Sequence, residues 1–315
     1  MTVEQVPPAA PPDVETPQLS FVERNQISPV LFLLGSLFIV FVLYQLVGGT
    51  IALLVAGSKV TRENVLLHRI LTISGQVLFI LIPTLGLARL LSVRLSSLFP
   101  WRMPHLGETF FASLSLLLLQ QVLQIYLFFQ DRIPLPEKLS KFIQPFRDMM
   151  EQMVRILVTA ENLPELAFVV LVVAVVPAIV EEVLFRGLIQ TGFERVTNPW
   201  KAAIIAGTIF GAFHFNPFAV VPLVGLGLFF GFLRMRSKSI VIAMTVHFLN
   251  NVTAVVVAYF KMDEELILGA PKGGEANIPG VLSQLFLFLV LFVVAFISYL
   301  RTTSHLDERR GDERT

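Results

Sequence analysis

Of 315 residues, 55% are hydrophobic and only 15% are charged, and the mean hydropathy is +0.74. A soluble domain carries roughly 25% charged residues, so this composition excludes one and indicates an integral membrane protein. The net charge of +1 gives no reason to expect nucleic-acid binding, and the absence of cysteine excludes disulfides, thiolate metal ligands and a cysteine nucleophile.

The first 26 residues hold five prolines, Pro7, Pro8, Pro11, Pro12 and Pro17, and are acidic rather than basic. They predict a disordered tail and not a cleavable signal peptide. Uncharged runs of about 18 or more residues mark spanning helices. Such runs fall at 27–58, 70–88, 109–130, 166–180 continuing into two glutamates, 202–218, 219–233, 239–260 and 278–300. The expectation is an all-α polytopic membrane bundle of about eight transmembrane helices, with a membrane domain over 27–300 and a charged tail over 301–315. Gly48-Gly49 is a candidate interruption of the long first run. The division between the fifth and sixth helices falls near Pro217–Pro222.

The longest connection, 131–165, contains an amphipathic stretch. Phe146, Met149, Met150, Met153, Ile156 and Leu157 share one face of it, against Arg147, Asp148, Glu151 and Arg155. This pattern fits a helix lying at the membrane interface, either capping the bundle or gating a buried site. Gly207/Gly211 and Gly227/Gly231 have the four-residue spacing that lets transmembrane helices approach closely. With eight helices, the side holding both termini carries 14 of the 24 Lys and Arg residues and the other side carries 10. That bias predicts a multi-pass protein of the plasma membrane with both termini in the cytoplasm.

Glu181-Glu182-Val183-Leu184-Phe185-Arg186 follows fifteen uncharged residues directly. A carboxylate at a bilayer centre costs roughly 2.5–3.5 kcal/mol on insertion scales, so such residues face the protein interior and serve function. Residues four apart share a helix face, while neighbours differ by about 100°. Glu182 and Arg186 are therefore placed to form an ion pair, and Glu181 is left without a local partner, as a general base requires. Pro177, one turn earlier, removes a backbone hydrogen bond beside the site.

His68, His105 and His305 fall in loops or tails, whereas His214 and His247 lie within apolar runs and need partners in the bundle. Phe210 precedes His214 by one turn, its ring against the imidazole's surroundings. His247 and Asn251 share a face, and Asn250 is out of phase with them. A carboxylate, imidazoles and an amide able to donate to an oxyanion make an inventory for hydrolysis of an acyl bond by activated water. No Ser in a nucleophile elbow, no membrane-embedded Asp and no His-Glu-x-x-His motif accompanies it. A proton-linked transporter would favour paired inverted repeats and broken helices, and neither is visible.

Glu181-Glu182-x-x-x-Arg186, Phe210-x-x-x-His214 and His247-x-x-x-Asn251, in that order and each on a predicted helix, resemble the CPBP superfamily. It holds the type II CAAX-prenyl endopeptidases and the Abi bacteriocin-immunity proteins. The resemblance covers roughly 176–255. It implies an intramembrane endopeptidase acting on membrane-embedded, prenylated or leader-type peptides, with a non-catalytic scaffold or immunity factor as the alternative. It also implies that Glu181 and His214 activate water, that His247 and Asn251 stabilise the oxyanion, and that Glu182, Arg186 and Phe210 support them. Spacing leaves open whether Glu181, His214 and His247 hold a single divalent metal such as zinc, or only water.

Overall fold

The computed structural model describes residues 18–262, 277–304 and 306, and the regular structure among them is entirely helical. A short turn, α1 (Phe21–Arg24), precedes α2 (Pro29–Ala56), α3 (Val65–Leu91), α4 (Leu106–Gln130) and α5 (Glu137–Val158). Then follow α6 (Leu163–Glu194), α7 (Pro199–Phe213), α8 (Val220–Ser237), α9 (Ile240–Tyr259) and α10 (Ile278–Thr302). Among the described residues seven helices, α2, α3, α4, α6, α8, α9 and α10, are long and apolar enough to cross a bilayer. The chain is an all-α, multi-pass membrane protein.

The outward faces explain why it needs a bilayer. Leu31, Leu54 and Phe286 are each more than two-thirds exposed. Leu33, Leu116, Leu184, Leu188, Phe230 and Tyr299 are fully buried in one continuous core. Lipid tails solvate the outer set at no cost, while backbone groups remain paired within the helices.

Three expectations are corrected. The helix expected over 202–218 is the 15-residue α7, which starts at Pro199 and ends early, at Phe213. At 1.5 Å per residue it reaches about 22 Å, short of the ~30 Å hydrocarbon core. Pro217 disfavours helical backbone at Asn216, and Phe215 adopts a left-handed conformation with φ 51°. The chain therefore leaves the helix after Phe213, and α8 begins at Val220. Gly48-Gly49 does not interrupt α2, which runs through a π-helical turn at Val42–Gly48 instead. His68 lies on α3 and not in a loop. Of the expected N-terminal tail, residues 1–17 lie outside the described residues, while Ser20 and Glu23 form a capping box that starts α1. In the C-terminal tail, His305 and 307–315 likewise lie outside the described residues.

Helix ends sort into two faces. On one, Arg102 donates to the Ser237 carbonyl (2.9 Å), Arg236 donates to Thr303 Oγ1 (3.0 Å) and Arg195 donates to the Leu91 carbonyl (3.3 Å). On the other, the buried Arg69 of α3 closes the C-terminus of α5. Its guanidinium donates to the carbonyls of Leu157 (3.0 Å), Ile156 (3.3 Å) and Thr159 (2.6 Å) and to Glu165 (2.6 Å). These are the carbonyls that a helix end leaves without partners. The amphipathic stretch is thus a helix, with Phe146, Met149 and Met153 exposed along it. Its Phe146 ring lies 6.1 Å from that of Phe218, in the connection between α7 and α8.

α7 and α8 pack backbone to backbone through the two glycine pairs. A Cβ at Gly227 would lie 2.3 Å from the Gly207 carbonyl oxygen, and one at Gly211 would lie 2.6 Å from the Val224 nitrogen. No side-chain rotation relieves a clash with backbone. Gly227→Ala is expected to destabilise the protein by about 1–3 kcal/mol, the usual cost of overpacking. The measurement is the thermal midpoint of purified protein in detergent, and an unchanged midpoint would contradict the close packing.

Candidate functional site

The site is assembled from α6, α7 and α9 around the ring of Phe210. Its first half is closed and internally paired. Arg186 Nη1 donates to Glu182 Oε1 at 3.0 Å, and both side chains are fully buried. His247 Nδ1 lies 2.9 Å from the same oxygen. A carboxylate oxygen only accepts, so Nδ1 carries the hydrogen. Arg186 Nη2 also donates to the Gly227 carbonyl at 2.8 Å, which ties α6 to α8 at the glycine contact. The guanidinium carbon sits 4.7 Å from the Phe210 ring centre and 5.4 Å from that of Phe230. Phe230 in turn stacks on His247, with centroids 5.0 Å apart. Pairing, hydrogen bonding and aromatic contact together hold three ionisable groups where none could stand alone.

The second half is open. Glu181 and His214 keep 16% and 30% of their side-chain surface exposed, against none for Glu182 and Arg186. His214 is the residue at which α7 ends, and its Nδ1 lies 2.8 Å from the Phe210 carbonyl, which gains a partner from the imidazole itself. That contact requires the hydrogen on Nδ1, so the neutral ring presents Nε2 as an acceptor. Nε2 faces Glu181 Oε2 at 3.7 Å. Oε2 is buried and has no hydrogen-bond partner among the described residues. The Phe210 ring lies 4.7 Å from His214 and 5.7 Å from His247, separating the two imidazoles.

The turn that presents His214 is pinned from both sides. Gln45 of α2 donates to the Phe213 carbonyl (3.2 Å), and Gln130 of α4 donates to the Phe218 carbonyl (2.8 Å). Tyr44, beside Gln45, bonds Gln76 of α3 and lies within electrostatic reach of Glu181. Sequence reasoning did not single out these residues. A polar residue in an apolar run is the signal that marks them, and a glutamine costs too little in a membrane for that signal to stand out.

Asn251 is engaged as well. Its Nδ2 donates to the Val173 carbonyl at 3.0 Å, and Asn250 Nδ2 donates to Asn251 Oδ1 at 3.0 Å. Asn250, expected out of phase, therefore points toward α4 and still touches Asn251.

The residues of the possible metal set are not gathered into one. No group of three or more His, Cys, Asp or Glu that could hold a metal ion occurs among the described residues. Glu181 and His214 face each other, while His247 is turned onto Glu182. The donor arrangement does not fit a Glu-His-His metal centre, and no step below is routed through a metal.

Comparison with known proteins follows the same stretch of chain. Residues 163–253, which carry Glu181, Glu182, Arg186, Phe210, His214, His247 and Asn251, match the family model of the Rce1-like type II CAAX prenyl endopeptidases. This is the class of protein that the three motifs resemble. A particular relative is the protein named "Putative membrane peptidase YdiL" of Bacillus subtilis (strain 168), 30% identical over 88 residues. That alignment covers 28% of this chain and 36% of the relative, so the chain spans about a third of the curated relative it matches. No solved structure matches.

Removing one partner of a buried ion pair leaves an uncompensated charge and costs about 3–5 kcal/mol. Glu182→Gln is therefore expected to lower stability far more than Glu181→Gln, although the residues are neighbours. Glu182→Leu combined with Arg186→Leu should recover much of the loss. Chemical or thermal unfolding of the four proteins in detergent measures this, and equal losses for the two Gln variants would contradict the assignment.

Proposed function

We propose that this protein is an intramembrane endopeptidase that hydrolyses peptide bonds of membrane-embedded or lipid-modified peptides with water activated by Glu181 and His214. One observation carries the reading. With the hydrogen of a neutral His214 ring on Nδ1, Glu181 Oε2 and His214 Nε2 are two acceptors that face each other at 3.7 Å. They cannot bond each other directly, but one water, with two hydrogens, satisfies both. The match over residues 163–253 supports the same chemistry.

In this reading Glu181 accepts a proton from the water as its oxygen attacks the peptide carbonyl, and later delivers that proton to the leaving amine. Asn251 stabilises the tetrahedral oxyanion, because an amide nitrogen bears two hydrogens and the Val173 carbonyl takes one. His247 assists from Nε2 when its ring is protonated, with Glu182 then holding a cation on each side. Phe210 keeps the water-binding imidazole apart from the oxyanion-binding one. Counted with α7 as an eighth, shorter crossing, the Lys and Arg bias of 14 to 10 favours both termini in the cytoplasm.

The test uses purified protein in liposomes with an internally quenched CAAX-type peptide, farnesylated and unmodified. Glu181→Gln and His214→Ala are each expected to cut the hydrolysis rate by at least about 100-fold, at an unchanged thermal midpoint. Full activity in either folded variant refutes the proposal.

A further inference from the structure

Three side-chain amides form a chain that runs from α4 to α6 and ends on the residue next to which the oxyanion would lie. Gln120 Nε2 donates to Asn250 Oδ1 (2.9 Å), Asn250 Nδ2 donates to Asn251 Oδ1 (3.0 Å), and Asn251 Nδ2 donates to the Val173 carbonyl (3.0 Å). All three side chains are partly buried.

The direction of the chain is fixed at both ends by groups that only accept. At one end is the Val173 carbonyl, so Asn251 must present Nδ2 there and Oδ1 toward Asn250. At the other end Gln120 Nε2 also donates to the backbone carbonyl of Asn250 at 3.3 Å. Reversing any one amide would set oxygen against oxygen or nitrogen against nitrogen. Val173 lies in the π-helical turn Leu171–Val175, which runs into Pro177, a residue with no N–H to give. Neighbouring side chains re-satisfy backbone groups freed by proline in membrane helices.

From this geometry we propose that Gln120 and Asn250 are positioning residues for catalysis, holding the Asn251 amide with its nitrogen toward α6 so that its second N–H meets the substrate oxyanion. The proposal rests on the hydrolase reading above. The acceptor that anchors the chain is the Val173 carbonyl, in the π-helical turn just ahead of Pro177. Neither Gln120 nor Asn250 touches substrate; both act through Asn251.

Asn250→Asp tests the orientation. The variant keeps the size of the side chain and its bond from Gln120, but its carboxylate cannot donate to Asn251 Oδ1. It therefore favours the reversed amide. Asn250→Leu removes the donor without adding charge and covers the case in which the Asp variant does not fold. Both are assayed in liposomes with the quenched peptide described above, beside Glu181→Gln. Both are expected to lower kcat by about tenfold, part of the 10²–10³ that a full oxyanion donor supplies, with KM within twofold of the parent. A raised KM with unchanged kcat overturns the proposal, as does parental kcat in both variants. A second readout does not depend on hydrolysis. In protein labelled with 15N-asparagine, the Asn251 side-chain amide protons should exchange slowly in the parent and rapidly in Asn250→Leu. Rapid exchange in the parent overturns the relay. Parental activity in Glu181→Gln, with protected Asn251 protons, would refute the hydrolase reading and leave the relay standing.

Discussion

Everything in this bundle depends on how Glu182 is neutralised. One carboxylate oxygen receives both the Arg186 guanidinium and the His247 imidazole, deep among apolar side chains. Each of these groups alone would oppose insertion by a few kcal/mol. Together they join α6 to α9 directly, and through the Gly227 carbonyl they join α6 to α8. The close contact of α7 and α8 at Gly207 and Gly227 then has a polar reason as well as a steric one, since only an exposed glycine backbone brings a carbonyl within reach of Arg186. A buried ion pair is weak evidence for net stability. Here its value lies in register, because it fixes which turn of α9 faces α6.

The same packing dictates what Glu181 can do. With its neighbour Glu182 paired to Arg186 and His247, Glu181 is rotated by about 100° toward the end of α7. α7 ends at Phe213, and this early end places the His214 imidazole and a backbone turn opposite Glu181. His214 closes its own helix by bonding the Phe210 carbonyl, and this act leaves Nε2 as the acceptor toward Glu181. Helix capping and readiness for chemistry are here one hydrogen bond. The π-helical turns at Val42–Gly48, Leu171–Val175 and Val183–Gln190 fall beside Tyr44 and Gln45, Val173 and Arg186 respectively, and such turns recur at functional sites.

Much of this was legible in the chain. Hydropathy gave the spans, and the i,i+4 rule paired Glu182 with Arg186 and set Glu181 apart, because these are properties of one helix. What escaped was set between helices. Whether His247 meets Glu181 or Glu182 depends on the register of α9 against α6, on which spacing within either helix is silent. For that reason spacing leaves the Glu-His-His set open, while in the structure His247 turns onto Glu182. The run expected over 202–218 ends early because hydropathy does not register that a proline and a left-handed Phe215 end a helix in mid-run. Gln45, Gln120 and Gln130 were passed over because an uncharged amide scarcely perturbs an apolar window, yet each meets a specific partner on another helix.

The two halves of the site have opposite electrostatic needs, and the fold meets both by separating them with one ring. Glu182, Arg186 and His247 require exclusion of water, since hydration would weaken the attraction that pays for their burial. Glu181 and His214 require access to water, since each presents an acceptor to the other. Phe210 bridges the two, with its ring against His214 and His247 and its face beneath Arg186. A smaller side chain there would open a path for water into the ion-paired half and loosen the imidazole that α7 presents. The aromatic residue of the Phe210-x-x-x-His214 motif is thus explained by dielectric separation: one side of the ring stays dry and holds the helices in register, while the other stays wet enough for a hydrolytic water.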